Sequence, residues 1–215
     1  ARNDIFFKKD KPYKSLICKT FGLPETTKIL LYAPSFREDV RTNCYGLDYL
    51  RVIEALERKN GEKDRCKACG ADRRHHDGGV GPGPIMAEFA KELIPKSPKI
   101  IDVTKYPDIQ ELLCAADIMV TDYSSCIFDF MLSRKPAFFY AEDIEKYNQE
   151  RGFYFPMSET PFPIAQNTDE LVKNLLEFNE NKYLEEIDAF LKGKGAFEDG
   201  NASKRAADFI ERLLG

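Results

Sequence analysis

Short runs of nearly uninterrupted apolar residues, each leading into a helical pattern, constrain this chain more than any other feature. Lys28-Ile-Leu-Leu-Tyr-Ala33 is bounded by Pro34, and Lys99-Ile-Ile-Asp-Val103, Asp117-Ile-Met-Val-Thr121 and Pro136-Ala-Phe-Phe-Tyr140 repeat its character. A strand with one wet face alternates apolar and polar residues. These runs do not alternate, so both of their faces are predicted to be covered. Helical spacing follows in Leu47–Arg58, through Leu50, Ile53 and Leu56, and then in Ile85–Leu93, Asp108–Ala115 and Ser124–Leu132. The tail adds helices near Thr168–Phe178, Leu184–Leu191 and Ala202–Leu214. Asp108, just after Pro107, is the expected N-cap of its helix. Strand and helix in alternation predict an α/β fold, a Rossmann-like parallel sheet with helices on both faces. Ligands of such sheets sit beyond the carboxyl ends of the strands. That narrows the search to Pro34–Arg37, Thr104–Tyr106 and Asp122–Ser125.

Composition narrows the function classes. The chain has 215 residues, 43% of them hydrophobic, enough for one packed domain over 1–215. A formal net charge of −4 argues against a nucleic-acid surface but leaves local basic groups for one phosphorylated ligand. No apolar run approaches the roughly 18 residues of a membrane span. The opening Ala-Arg-Asn-Asp lacks the basic and apolar regions of a signal peptide. A soluble chain is expected, with any membrane contact peripheral. The cysteines, at 18, 44, 66, 69, 114 and 126, make no disulfide framework, and a reducing cytoplasm is expected. Cys18, Cys114 and Cys126 lie in apolar periodic stretches and read as small buried hydrophobes.

Residues 61–84 break the pattern. They hold six of the thirteen glycines, both histidines and two cysteines, with hardly any apolar residues. A doubly wound sheet needs a strand between the Leu47–Arg58 and Ile85–Leu93 helices, and Lys63-Asp-Arg-Cys-Lys-Ala-Cys-Gly70 looks unable to supply one. The segment reads as an atypical loop or insert, or as locally altered sequence.

Several segments carry chemistry. In Asp117-Ile-Met-Val-Thr-Asp-Tyr-Ser-Ser-Cys-Ile-Phe-Asp129 a strand ends at Thr121 and a helix opens near Ser124. The hydroxyls of Ser124 and Ser125, with unpaired N–H groups of the new helix, can grip a phosphate. Asp129, about a turn further on, can reach a ligand hydroxyl. The bland alternative is simple N-capping by serine. Tyr32-Ala-Pro-Ser-Phe-Arg37 leaves a hydroxyl (Ser35), a ring (Phe36) and a guanidinium at a strand end, suited to base, ribose and phosphate. An ordinary polar loop would look the same. Arg73-Arg-His-His76 suits a diphosphate, or is a solvated loop. Cys66, Cys69, His75 and His76 supply four possible zinc ligands, but adjacent histidines chelate poorly, so no metal is expected. Phe153-Tyr-Phe155 reads as a core or interdomain plug rather than a base-stacking platform.

Taken together, Ala1-Arg-Asn-Asp4, Leu31-Tyr-Ala-Pro-Ser-Phe-Arg37, Tyr106-Pro-Asp-Ile-Gln-Glu-Leu112, Ile118 through Phe130, Lys135-Pro-Ala-Phe-Phe-Tyr-Ala141 and Arg151-Gly-Phe-Tyr-Phe155 resemble the CDP-glycerol glycerophosphotransferase family of teichoic acid synthesis. The pieces occur in the family's order and cover nearly the whole chain. The resemblance implies the C-terminal, donor-binding half of a GT-B glycosyltransferase-like fold. It implies CDP-glycerol contacts from Arg2, Ser35, Phe36, Ser124, Ser125 and Asp129, and from an Arg-x-His string best matched by Arg74, His75 and His76. It implies glycerol phosphate transfer to the hydroxyl end of a lipid-linked poly(glycerol phosphate) chain, with CMP released, no cofactor, and work at the cytoplasmic face of the plasma membrane.

Two departures from the family's pattern matter. Its N-terminal domain carries a His-Gly-Thr-type string with the general base. No His-Gly string occurs here, so the expectation is a fragment inactive on its own. The family's strand into Arg-x-His is replaced here by Arg65-Cys-Lys-Ala-Cys-Gly-Ala-Asp72, for which a local frameshift is the reading adopted and an insertion the alternative. The competing functions are a CDP-ribitol-type transferase, a non-catalytic nucleotide-binding module and a small zinc-stabilised interaction domain.

Overall fold

The computed structural model describes residues 2–8, 12–35, 46–61, 66–70, 97–150, 152–153 and 155–214. Six strands form one sheet: β1 (Lys28–Tyr32), β2 (Cys66–Gly70), β3 (Ile100–Asp102), β4 (Ile118–Thr121), β5 (Ala137–Tyr140) and β6 (Ile164–Ala165). Their spatial order is β3-β2-β1-β4-β5-β6, and every ladder is parallel. The chain therefore winds outward one way from β1 and the other way from β4, the order of a dinucleotide-binding Rossmann sheet. A 3-10 helix, Arg2–Phe7, opens the chain. Eight α-helices follow among the described residues: α1 (Tyr13–Thr20), α2 (Tyr49–Asn60), α3 (Ile109–Ala115), α4 (Cys126–Met131), α5 (Ile144–Glu150), α6 (Thr168–Glu177), α7 (Glu180–Gly193) and α8 (Ala202–Leu214).

Successive residues of a strand face opposite sides, and this sheet has a core on each. Ile29, Leu31, Met119 and Phe139 meet Ile17 of α1, Leu113 of α3, Ile127 and Phe130 of α4, and Ile187 of α7. Leu30, Tyr32, Val120, Phe138 and Tyr140 meet Val52, Ile53 and Leu56 of α2, and Leu171 and Leu175 of α6. Each fully buried aliphatic chain contributes about 1.5–3 kcal/mol, so the absence of alternation in the strands is the sequence signature of this two-sided burial. The α/β expectation holds.

Local chemistry sets the helix ends. Asp48 Oδ1 accepts from Arg51 N at 3.1 Å to start α2, and Gly61 ends it at φ +64°, a left-handed conformation that favours glycine. Asp108 Oδ1 accepts from Gln110 N at 2.8 Å, so α3 is capped where the sequence placed its cap. Asn167 Oδ1 accepts from Glu170 N at 2.9 Å while Glu170 Oε2 accepts from Gln166 N at 2.7 Å, which closes a reciprocal box at the start of α6.

The structure corrects three expectations. Cys66–Gly70 is the strand that residues 63–70 looked unable to supply. It pairs with β1 from Lys28↔Cys66 to Tyr32↔Gly70 and with β3 from Ala68↔Ile100 to Gly70↔Asp102. A strand held by a ladder on each side needs little β propensity of its own. The helix expected from Ser124 to Leu132 is shorter, Cys126–Met131. Cys114 is only partly buried, whereas Cys18 and Cys126 are buried as expected. The sequence reading did not assign α1, α5 or β6.

Candidate functional site

The crevice between the carboxyl ends of β1 and β4 is the switch point of the sheet, where a doubly wound fold binds its ligand. Ala33 N donates to Val120 O at 3.0 Å, and Thr121 Oγ1 donates to Ala33 O at 2.5 Å, so the pairing continues beyond β1. Asp122 Oδ1 then accepts from Ser35 N at 2.7 Å and from Tyr123 N at 2.6 Å. Thr121 is fully buried and Asp122 only 3% exposed. Together they brace the two loops against each other. Sequence reasoning gave neither residue a role. The available signal was a polar Thr-Asp pair directly at the end of an apolar strand, where burial demands partners.

The two serines after this brace differ. Ser124 is buried, and its Oγ accepts from Cys126 N at 3.4 Å, with Cys126 Sγ at 3.0 Å. Ser125 is exposed and occupies the N-cap position of α4 at φ −61°, ψ −11°. That is helical rather than extended backbone, and the side chain makes no capping bond. Ile127 N donates to Ser124 O at 3.3 Å and Phe128 N to Ser125 O at 3.1 Å. The unpaired N–H groups expected in this turn are thus partly engaged, because the chain enters α4 through tight i→i+3 turns. Anion binding here would rest on the Ser125 hydroxyl more than on the helix end.

Beside the serines lies a cavity of about 200 Å³ whose walls include Tyr123, Phe128, Phe139, Phe153, Phe155 and Met157. Tyr123 stacks on Tyr147 with centroids 3.8 Å apart, Tyr147 stacks on Phe153 at 5.4 Å, and Tyr123 Oη donates to Asp143 Oδ1 at 2.7 Å. Gly152, at φ +70°, makes the left-handed turn after α5 that returns the chain to Phe153. Phe153 and Phe155 are half-buried. Phe153 packs against the core, in line with the reading of a plug, and both rings also wall the cavity, which that reading did not include.

A polar knot sits one helical turn along α4. Asp129 is 5% exposed. Its Oδ2 pairs with Arg2 Nη2 at 2.8 Å, its Oδ1 accepts from Asn3 Nδ2 at 3.1 Å, and Gln110 Nε2 lies 3.4 Å from Oδ2. The next residue, Asp4, accepts from Ala202 N at 3.1 Å and Ser203 N at 2.8 Å, which anchors the first turn of α8. The opening Arg-Asn-Asp string thus joins α4 to α8. The sequence reading gave Gln110 no role of its own. Its signal was position: it lies three residues from the buried Leu113, on the covered side of α3.

Of the residues singled out from sequence, the structure brings Arg2 onto Asp129, ties Ser35 to the Ser124–Ser125 turn through Asp122, and sets both serines at the aromatic cavity. Phe36, Arg74, His75 and His76 lie outside the described residues. Among the described residues, no three His, Cys, Asp or Glu side chains are grouped to hold a metal ion.

Residues 80–212, more than half of the chain, match the family described as CDP-Glycerol:Poly(glycerophosphate) glycerophosphotransferase. Over 97% of its length the chain is 34% identical to the teichoic acid glycerol-phosphate transferase of Staphylococcus aureus (strain NCTC 8325 / PS 47), covering 52% of that protein. Over 95% of its length it is 36% identical to the teichoic acid ribitol-phosphate polymerase TarK of the same strain, covering 38% of it. Among solved structures, a variant of the wall teichoic acid polymerase TagF soaked with CDPG superposes with a TM-score of 0.72 at 30% identity, covering 99% of this chain and 50% of that one. The chain therefore spans about half, or less, of the length of these proteins.

Proposed function

Because the chain belongs to the CDP-glycerol:poly(glycerophosphate) glycerophosphotransferase family, we propose that it supplies the donor-binding half of a transferase in teichoic acid synthesis. That transferase moves glycerol phosphate from CDP-glycerol to the hydroxyl end of a poly(glycerol phosphate) chain. One observation carries the assignment to this region: at the β1–β4 switch point the Asp122 brace presents the Ser124–Ser125 turn beside an aromatic cavity. Ser125, with Ser124 behind it, serves the diphosphate. Arg2, Ser35 and Phe36 help to seat the nucleotide. Arg74, His75 and His76 are assigned to the diphosphate on the resemblance alone.

In the reaction, the acceptor's terminal hydroxyl oxygen attacks the β-phosphorus. The bond from that phosphorus to the bridging oxygen breaks, and CMP leaves with the oxygen. The hydroxyl proton goes to a base that this reading does not place among the described residues. Such a step depends on positioning and on stabilising charge around phosphorus, which is what hydroxyls and a guanidinium supply. No helix among the described residues is long and apolar enough to cross a membrane. In this reading the chain meets a lipid-linked acceptor at the inner face of the plasma membrane as a peripheral protein. The altered composition of residues 61–84 is attributed to a local frameshift, with an insertion as the alternative, and resequencing of the source DNA decides between them.

The second reading keeps the nucleotide grip and exchanges the donor for CDP-ribitol, a choice motivated by the 36% identity to a ribitol-phosphate polymerase. Calorimetric titration with CDP-glycerol, CDP-ribitol, CMP and UDP-glucose tests both. Saturable CDP-glycerol binding that Ser124→Ala/Ser125→Ala abolishes supports the first reading. Preference for CDP-ribitol selects the second, and equal binding of UDP-glucose contradicts both.

A further inference from the structure

We infer that Asp129 is a positioning residue that holds the Arg2 guanidinium in place, with Gln110 and Asn3 fixing Asp129 in turn. The inference rests on the donor-site reading above and changes the part Asp129 plays in it, from a contact to a ligand hydroxyl to an anchor for the arginine.

Arg2 cannot place itself. It stands at the start of the opening 3-10 helix, its side chain is 56% exposed, and an arginine in water samples many rotamers. Asp129 is its opposite. The side chain is 8% exposed, on a helix whose Ile127 and Phe130 are fully buried. The two meet at 2.8 Å. A guanidinium has five N–H donors in a planar fork, so a contact through one nitrogen orients the fork and leaves other donors for phosphate oxygens.

The carboxylate itself is oriented from further sides. Asn3 donates to Oδ1 at 3.1 Å and Gln110 to Oδ2 at 3.4 Å. Both amides do so at a cost: Asn3 Oδ1 and Gln110 Oε1 are buried without a hydrogen-bond partner. An amide carries donor and acceptor on one carbon, so aiming the nitrogen at Asp129 turns the oxygen away from it. Two amides that leave buried acceptors unsatisfied while donating to the same carboxylate are arranged around it. Arg2, Asn3 and Gln110 already face its two oxygens and the residue is only 5% exposed, so a ligand hydroxyl would have to reach a largely covered carboxylate. Holding Arg2 needs no such access.

The test separates an anchor from a hydroxyl contact. CDP and 2′,3′-dideoxy-CDP are titrated against the unsubstituted chain, Asp129→Asn, Arg2→Ala and the double variant, with thermal melts run alongside. The expected result is that Asp129→Asn weakens both ligands by the same factor, roughly ten-fold, and adds no further loss once Arg2 is alanine. A loss confined to CDP would make Asp129 a ribose-hydroxyl contact and overturn the inference, as would independent, multiplying losses in the double variant. If Asp129→Asn melts out, Gln110→Met keeps the carboxylate and loosens its orientation. It is expected to give a smaller loss, equal for the two ligands and absent in the Arg2→Ala background, and any other pattern overturns the inference. Failure of the unsubstituted chain to bind any CDP species removes the donor reading and this inference with it. Binding without coupling between Arg2 and Asp129 removes only the inference.

Discussion

Asp122 and Ser125 stand three residues apart in one loop and do opposite things. Asp122 is 3% exposed and accepts from two backbone N–H groups, one of them across the sheet's switch point. Ser125 is exposed and caps nothing in α4. One residue makes the loop a single shape, and the other is what that shape displays. The same division recurs a turn away, where buried Asp129 holds exposed Arg2. A polar string at a strand end is therefore not uniformly a ligand site. Its buried members are framework, and its exposed members are the ones a ligand can meet.

Substitutions at the two kinds of position should separate stability from binding. Asp122→Ala removes the shared acceptor of two part-buried N–H donors and is expected to destabilise the fold by about 1–3 kcal/mol, read as a lower urea midpoint. A midpoint unchanged within error would break the comparison at its framework side. Ser125→Ala should leave stability within about 0.5 kcal/mol while weakening CDP-glycerol roughly ten-fold in a calorimetric titration. A stability loss without a binding loss would reverse the assignment.

The comparison sharpens further out. Asp4 braces α8 by accepting from Ala202 N and Ser203 N, while Phe209, Ile210, Leu213 and Leu214 of that helix are all exposed. Asp4→Ala should therefore loosen α8 locally, seen as faster amide hydrogen exchange in 203–210 with the sheet unaffected. Exchange that quickens throughout would make Asp4 a determinant of the whole fold. The smallest effect concerns Tyr140, whose Oη donates to Glu142 Oε1 at 2.8 Å. Burial, and then the bond to Glu142, push its pKa up to about 12. Its folded value lies above its unfolded one, so its contribution is complete below about pH 10 and fades as pH rises toward 12. Tyr140→Phe should reduce the fall in melting temperature between about pH 10 and pH 12, the span over which that fading occurs.

The strands were legible because two-sided burial writes itself as unbroken apolar runs, as in Lys28–Tyr32 and Ala137–Tyr140. Caps such as Asp108 were legible because the chemistry is local. What escaped was imposed from a distance. Cys66–Gly70 is a strand because β1 and β3 flank it, and nothing in its own residues says so. Gln110 reads as a surface amide until the chain's opening residues and α4 bring Asn3, Arg2 and Asp129 to the same place. The serine pair was located from sequence, but its division into a buried and an exposed hydroxyl depends on the turn into α4.

Amide NMR shifts during a CDP-glycerol titration locate the ligand edge of this chain. A ligand at the β1–β4 switch point gives its largest shifts at Ser35, Tyr123, Ser124, Ser125 and Asn3, with Lys28 and Ala137 at the opposite edge unmoved. Shifts centred on that opposite edge, or on α8, would contradict that placement.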